Sequence, residues 1–224
     1  MNADLDEAAT TAQTILSALM GTLAGGAGDP GAKLFLAVQN LKASATGELA
    51  AGGLQFWIDL TACFDLARLA GATFVGMDAV RATAEALTPS GLPAIALMNF
   101  AVRMALVEQA RIIAATTFTS RQDIDAIFDV LNESFDTAIT VAADGLDNQS
   151  YVALTSLYAA VSNDLATRSR PLPRMVTYQF ATSMPALWLA QRIYADPTRS
   201  DELIAENKPI HPLFCQSTGV CLSA

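Results

Sequence analysis

The sequence predicts a mainly α protein, in which a helical body is followed by a small α+β module at the C-terminus. Apolar residues recur at helical spacings of three and four over most of the first 170 positions. Pro171 and Pro173 then interrupt the pattern, because proline disfavours helix at the residue before it. Beyond them, short segments suit the order strand, helix, helix, strand. We therefore expect a helical domain over residues 1–170 and a separate module over residues 171–224.

The 224-residue chain is apolar and acidic. It is 52% hydrophobic and 16% charged, which suffices for a large core and for exposed apolar surface that needs partners. Its formal net charge of −9 opposes direct contact with nucleic acid, which requires a basic face to neutralise phosphates. The acidic N-terminus predicts no signal peptide. Residues 92–118 are the most apolar stretch, but Arg103, Glu108 and Arg111 would be costly in hydrocarbon, so we expect a buried helix there and no membrane span.

The first half of the helical body predicts four helices, over residues 4–23, 33–43, a segment within 47–72, and 78–87. The glycine-rich break at residues 25–31 does not complete a phosphate-binding motif, because Lys33 is followed by Leu34 instead of a hydroxyl residue. It therefore predicts a flexible turn. The third helix is expected to bury the small residue Cys63 and to carry the apolar residues Leu54, Phe56, Trp57, Leu60, Phe64 and Leu69.

Three longer helices follow. Residues 92–117 form the longest apolar one, after the break at residues 88–91. Ser120 and Asp123 match a capping box that opens a helix ending near residue 143. Gly145 ends that helix, and Asn148 is expected to cap the next. The predicted buried stripes are Ile124, Ile127, Phe128, Leu131, Phe135 and Ile139 on the first of this pair, and Leu154, Leu157, Tyr158, Val161 and Leu165 on the second.

The module begins with a predicted strand over residues 175–180, whose alternation directs Val176, Tyr178 and Phe180 to one face. Ser183 is expected to cap the first helix of the module, with Pro185 in its first turn. The apolar stripe of that helix is Leu187, Leu189, Ile193 and Tyr194.

The dipeptide Asp196-Pro197 ends this helix. Thr198 and Asp201 match the capping pattern of a second helix, which Leu203 and Ile204 anchor and Asn207 ends. Residues 219–222 predict a closing strand.

The module also carries a composite motif: a Tyr-x-Asp turn, an Arg-x-Asp-Glu helix, an asparagine and a His-Pro-x-Phe segment. The matching residues are Ala190, Arg192, Tyr194, Asp196, Thr198, Arg199, Asp201, Glu202, Asn207, Ile210, His211, Pro212 and Phe214. With this spacing, the chain resembles the C-terminal part of the DNA circularisation (or DNA circulation) proteins of Mu-like contractile-tailed phages. The similarity extends to residues 117–123 and Leu172-Pro173. It covers the second half of the chain well and the first half loosely. The strand-helix-helix-strand order is also similar to a LysM module.

The sequence departs from the family pattern in two places. The N-terminal domain for which the family is named is not recognisable, which puts that domain's function in doubt. Residues 215–219 replace the Pro-Gly-Gly that usually follows His-Pro-x-Phe, which could alter the last loop and strand.

The resemblance implies a structural protein of the virion, assembled in the host cytoplasm and placed at the baseplate hub or tube end. Its expected partners are hub, tube and wedge proteins and further copies of itself in a homo-oligomer. Obligate interfaces of this kind bury hydrophobic surface, which agrees with the apolar composition. The alternatives are a module that binds cell-wall glycan during injection, and a factor that circularises DNA ends.

The candidate interaction residues are Trp188, Arg192, Tyr194, Arg199, His211 and Phe214. The two aromatic residues of the first module helix, Trp188 and Tyr194, suit a small core, a partner contact or stacking on a sugar. We expect at least one of them to be buried, either inside the module or at a contact between subunits, and Trp188→Ala to cost about 3–5 kcal/mol if that residue is fully buried. Arg192 and Arg199 are expected to form salt bridges or contacts between subunits. His211, the only histidine, is expected to be structural.

We expect no enzymatic activity and no cofactor or metal. A Cys215–His211 pair is possible in sequence, but a structural histidine is favoured. Asp196, Asp201 and Glu202 are explained by a turn and a helix start. Cys215 and Cys221 are expected to be exposed and to form a disulfide after lysis, with each other or between subunits. Three free thiols are the alternative.

Overall fold

The computed structural model describes residues 3–23 and 28–223. In these residues it contains nine α-helices and two β-strands. The helices are α1 (Ala3–Gly21), α2 (Gly28–Ala50), α3 (Leu54–Leu69), α4 (Phe74–Glu85), α5 (Leu92–Ala115), α6 (Arg121–Asp144), α7 (Asn148–Ser169), α8 (Ala186–Tyr194) and α9 (Ser200–Asn207). The strands are β1 (Met175–Gln179) and β2 (Thr218–Leu222), and a 3-10 turn spans Pro197–Arg199. The predicted fold class, mainly α with a small α+β module, is confirmed.

The first compact unit comprises residues 1–116 and 132–161. In it α1 packs on α2, α4 and α5, while α3 packs on α2 and α5. The largest side chains buried in this unit include Phe56, Phe64, Ile15, Leu16, Leu97 and Leu106. On α3 the buried residues Phe56, Leu60, Cys63 and Ala67 recur three or four positions apart, so this helix turns one apolar stripe to the core.

The second predicted helix is longer than the sequence suggested. α2 runs from Gly28 to Ala50 instead of residues 33–43. Pro30 is tolerated in the first turn, where its missing N–H is not needed, and Gly47 lies within the helix. The predicted glycine-rich turn falls partly on residues outside the described ranges. In α3, Cys63 is buried as predicted, but Leu54 and Leu69 are exposed, because Phe56, Leu60 and Phe64 fill its buried stripe.

The second compact unit comprises residues 117–131 and 162–224. Its module has the predicted order β1, α8, α9, β2, and the strands pair antiparallel from Met175 opposite Leu222 to Gln179 opposite Thr218. The helices cover one face of this two-stranded sheet. The buried cluster there is Tyr178, Ala186, Leu189, Ala190, Leu203, Cys215 and Cys221.

The boundary between the units differs from the predicted one at residues 170 and 171. The start of α6 and the end of α7 belong with the C-terminal unit. The Arg121 guanidinium donates to the carbonyls of Leu172 (2.9 Å) and Arg170 (2.8 Å), and Gln122 binds the backbone of Met175. The break at Pro171 and Pro173 is therefore an internal turn of this unit.

Of the predicted caps on α6 and α7, the first is confirmed and the second is wrong. The capping box of α6 is confirmed: Ser120 Oγ accepts from Asp123 N (3.3 Å), and an Asp123 carboxylate oxygen accepts from Ser120 N (2.9 Å). The cap of α7 is Asp147, whose carboxylate accepts from Ser150 N (3.1 Å), and not Asn148. The carboxylate of Asp147 also binds Arg103 (2.8 Å), which fixes it at the start of α7.

Two predicted caps in the module are wrong. Ser183 donates its hydroxyl to the Cys215 carbonyl (2.7 Å) instead of capping α8, which begins after Pro185 without a side-chain cap. Thr198 donates to the Asp196 carboxylate (2.6 Å), and Asp196 is the residue that caps the 3-10 turn before α9. A nearby acceptor redirects each hydroxyl.

Candidate functional site

The candidate site is an exposed apolar surface of the C-terminal module, which we call the module surface. It consists of Leu187, Trp188, Ile210, Leu213 and Phe214, all of them exposed. α8 buries Ala186, Leu189 and Ala190, so the helical turn leaves Leu187 and Trp188 on its outer side. The predicted apolar stripe of α8 is therefore wrong at Leu187, because the two alanines and Leu189 form the buried face.

The segment around Pro212 is tied to the start of α8. Ala186 N donates to the Pro212 carbonyl (2.8 Å), and Cys215 N donates to the Met184 carbonyl (3.0 Å). These bonds hold the backbone of residues 212–215 against that of residues 184–186. The module surface thus combines side chains of one helix and one turn on a hydrogen-bonded frame.

The two aromatic residues of α8 have different surroundings. Trp188 is 44% exposed, and its ring meets Phe180 edge to face with centroids 5.7 Å apart. Tyr194 is half-buried, and its hydroxyl accepts from Leu222 N (3.1 Å). Burial raises the pKa of Tyr194, which keeps it a neutral phenol. Neither ring is fully buried within the chain. The half-burial of Tyr194 makes it a structural residue, whereas Trp188 is available to a partner.

The basic residues and the histidine also separate into different roles. Arg199 stacks its guanidinium over the Tyr194 ring at 3.9 Å and forms the predicted salt bridge, with Glu202 (2.7 Å). Arg192 is exposed and has no ion pair among the described residues. His211 is exposed, and its Nδ1 accepts from Leu213 N (3.2 Å). This bond shapes the turn that presents Phe214.

The predicted exposure of Cys215 and Cys221 is wrong. Both side chains are buried in the module cluster and carry free thiols. Pairing of β2 with β1 encloses the Cys221 thiol, and the bridge between Met184 and Cys215 encloses the Cys215 thiol. Desolvation raises the pKa of both thiols. The reason for expecting a disulfide, solvent access, is therefore absent.

The groups that would suit catalysis do not converge. The Cys215 thiol donates to the Pro212 carbonyl (3.6 Å) and is buried, whereas His211 faces solvent. Asp196 is held by Thr198, whose hydrogen bonds lower the pKa of the aspartate, and Glu202 is paired with Arg199. In residues 3–23 and 28–223, no group of three histidine, cysteine or acidic side chains is placed to hold a metal ion.

Asn207 is a key structural residue that the sequence indicated only as a helix end. Its amide donates to the carbonyls of Leu203 (2.9 Å) and Val220 (2.7 Å), and its carbonyl accepts from Val220 N (2.8 Å). It thereby joins α9 to β2. The available signal was its place in the composite motif.

Trp188→Ala is expected to lower the free energy of unfolding by about 1–3 kcal/mol, through the loss of the aromatic pair and of the buried part of the ring. This is less than full burial would give, because nearly half of the side chain already contacts water. Chemical denaturation followed by circular dichroism measures it. A loss above about 3 kcal/mol would show that Trp188 belongs to the core.

Comparisons with known proteins do not assign the chain to a class. No protein-family model matches it, and no curated protein matches it either. Among the helices that the structure describes, none is long and apolar enough to cross a membrane.

Proposed function

We propose that this chain is a structural component of a contractile phage tail, located at the baseplate hub or tube end. It acts by protein–protein assembly and not by chemistry. The observation that carries the proposal is the module surface. The composite motif that resembles the phage family includes two residues of this surface, Ile210 and Phe214, and His211, which shapes the turn between them.

The physical properties of the module surface suit a protein interface. Clusters of large apolar side chains that remain exposed on a folded unit mark sites of association, because covering them removes apolar area from water. Aromatic anchors contribute most at such sites. The proposed partners are hub, tube and wedge proteins of the tail. The chain would assemble with them in the host cytoplasm and remain in the virion.

The proposal predicts a loss of incorporation when the module surface becomes polar. The double variant Leu213→Ser/Phe214→Ser removes two exposed apolar groups, so the chain should fold normally but be depleted at least tenfold from purified tails. Quantitative mass spectrometry of tail particles, made with each variant as the only source of the chain, measures this. If particles made in the presence of the wild-type chain do not contain it, the proposal is wrong.

Val75→Ser is the matched control. Val75 is 74% exposed on α4 and Phe214 is 70% exposed, so both changes remove apolar surface without opening a core. Incorporation of the Val75 variant should equal wild type. Equal depletion of both variants would indicate a general effect of surface hydrophobicity and overturn the role of the module surface.

A cell-wall glycan-binding function is the second candidate, and the exposure of Trp188 favours it. An indole ring with a free face can stack on a sugar. Retention of the purified chain on peptidoglycan, abolished by Trp188→Ala and unaffected by Val75→Ser, would support this function in place of assembly. We expect no retention.

A further inference from the structure

The outer edge of β2 is covered by side chains. In an antiparallel pair, the backbone groups of alternate residues point to the partner strand and away from it. Phe180 N donates to the Ser217 carbonyl (2.7 Å), and Ser223 N donates to the Arg174 carbonyl (2.6 Å). The backbone N–H and C=O groups of the even-numbered residues of β1 therefore point to β2, and those of the odd-numbered residues point away from it. On β2 the outward groups of Val220 bind Asn207, and Leu222 N binds the Tyr194 hydroxyl.

The outer edge of β1 is covered only at its start. Met175 N donates to Gln122 Oε1 (2.8 Å), and Gln122 Nε2 donates to the Met175 carbonyl (3.3 Å). The next outward residues are Thr177 and Gln179, and both are exposed. Neither has a backbone hydrogen-bond partner on this side in the part of the chain that the structure describes. Unpaired groups on a strand edge are a template for another strand.

We propose that β1 pairs with β1 of a second copy of this chain, antiparallel, about a two-fold axis through Tyr178. In this register Thr177 lies opposite the partner's Gln179, and Gln179 lies opposite the partner's Thr177. Each such pair exchanges both of its N–H···O bonds. The pairing stops at Met175, where Gln122 already occupies the edge, and therefore matches the length of the open edge.

The side chains on the same strand make a second copy the fitting occupant. Val176 is 45% exposed. Its side chain lies on the same face of the strand as that of Phe180, whose ring contacts Trp188. The proposed register places Val176 opposite the partner's Phe180, next to the partner's Trp188. A β-branched residue opposite an aromatic one is a favourable cross-strand pair. One segment thus supplies both halves of the contact, as a two-fold interface requires.

Charge does not oppose this pairing. Residues 175–180 contain no charged side chain, so antiparallel self-pairing brings no like charges opposite each other. The proposed contact does not rest on a role in a phage tail, since the open edge and its self-complementary side chains belong to the chain itself.

The first test is the mass of the purified chain in solution. Analytical ultracentrifugation over increasing concentration should show the mass rise from 23.6 kDa toward twice that value. Gln179→Pro removes one outward N–H, and the edge position allows proline because that N–H does not bind β2. This variant should remain monomeric with unchanged circular dichroism. Val176→Lys, which places a charge in the apolar contact, should give the same result if the proline variant fails to fold. Val75→Ser should still dimerise.

Cross-linking tests the register. The native thiols are buried, so Thr177→Cys introduces an accessible one. Diagonal neighbours across an antiparallel pair lie about 7–8 Å apart, so a short bismaleimide should link two copies through residue 177. Thr218→Cys on β2 is the control, because strands at about 4.8 Å spacing place its two copies about 14 Å apart or more. A wild-type chain that is monomeric at all concentrations, a dimer unaffected by either edge variant, or equal linking through residue 218 would overturn the proposal.

Discussion

Glu108→Ala is expected to lower the free energy of unfolding by about 3 kcal/mol. Glu108 is fully buried on α5, and its carboxylate binds Arg68 Nε (2.6 Å) and Arg111 (2.7 Å). Removing one partner of a buried ion pair typically costs about 3–5 kcal/mol, because the remaining charge loses its compensation. The lower end applies here, since the side chains of Arg68 and Arg111 are 29% and 50% exposed and water can reach them.

Equilibrium denaturation at neutral pH measures this effect, and Asp65→Ala is the matched control. Asp65 binds the same two arginines, at 2.5 and 3.5 Å, but is itself more than a third exposed. Pairs at the surface contribute about 0–1 kcal/mol, so the control should cost much less. Equal losses for both variants would show that the buried position of Glu108 has no special role.

The pH dependence of the free energy of unfolding provides an independent test of the role of Glu108. Desolvation raises the pKa of Glu108 above its ordinary value of 4.5, although Arg68 and Arg111 oppose the shift. The folded state therefore holds the proton more tightly than the unfolded state, and this group's contribution to stability falls as pH rises through the window above 4.5. Glu108→Gln cannot titrate. The stability of wild type relative to this variant should therefore decrease with rising pH across that window, and an increase would contradict the assignment.

Asn207→Ala is expected to lower the stability of the module by about 2–3 kcal/mol. The variant leaves the N–H and C=O of Val220 without their partner, and each unsatisfied, partly buried group costs about 1–3 kcal/mol. The effect should be local to the end of β2. Hydrogen exchange should therefore show faster exchange of the Val220 amide, while the amides of α5 remain protected.

Two further variants separate the hydrogen bonds of Asn207 from its place on α9. Asn207→Asp keeps an acceptor for Val220 N but loses the donor to the carbonyls of Val220 and Leu203, so its loss should be at least as great as that of the alanine variant. Glu206→Ala changes the neighbouring residue of the same helix and should leave Val220 exchange unchanged. Unchanged exchange in the Asn207 variants would refute the bridging role.

Most of the local framework was predictable from the sequence. The capping box of Ser120 and Asp123, the break after α7 and the order β1, α8, α9, β2 all appear as expected. These signals act between residues within about four positions of each other, where the chain itself fixes the geometry. Among the candidate interaction residues, Phe214 and Trp188 are exposed, whereas Arg199 stacks on Tyr194 and pairs with Glu202 inside the module. No local pattern in the sequence distinguishes these two groups.

The sequence by itself determined the helical class of this protein, the βααβ module and its acidic, apolar character. Only the tertiary structure decided which polar and sulfur groups are enclosed. Glu108 meets Arg68 across forty positions, Asn207 meets Val220 across thirteen, and the bridge with Met184 buries Cys215. The open edge of β1 likewise exists because Gln122 reaches Met175 and no further. Burial and hydrogen-bond partners depend on segments distant in sequence, and periodicity and capping patterns carry no information about which of them meet.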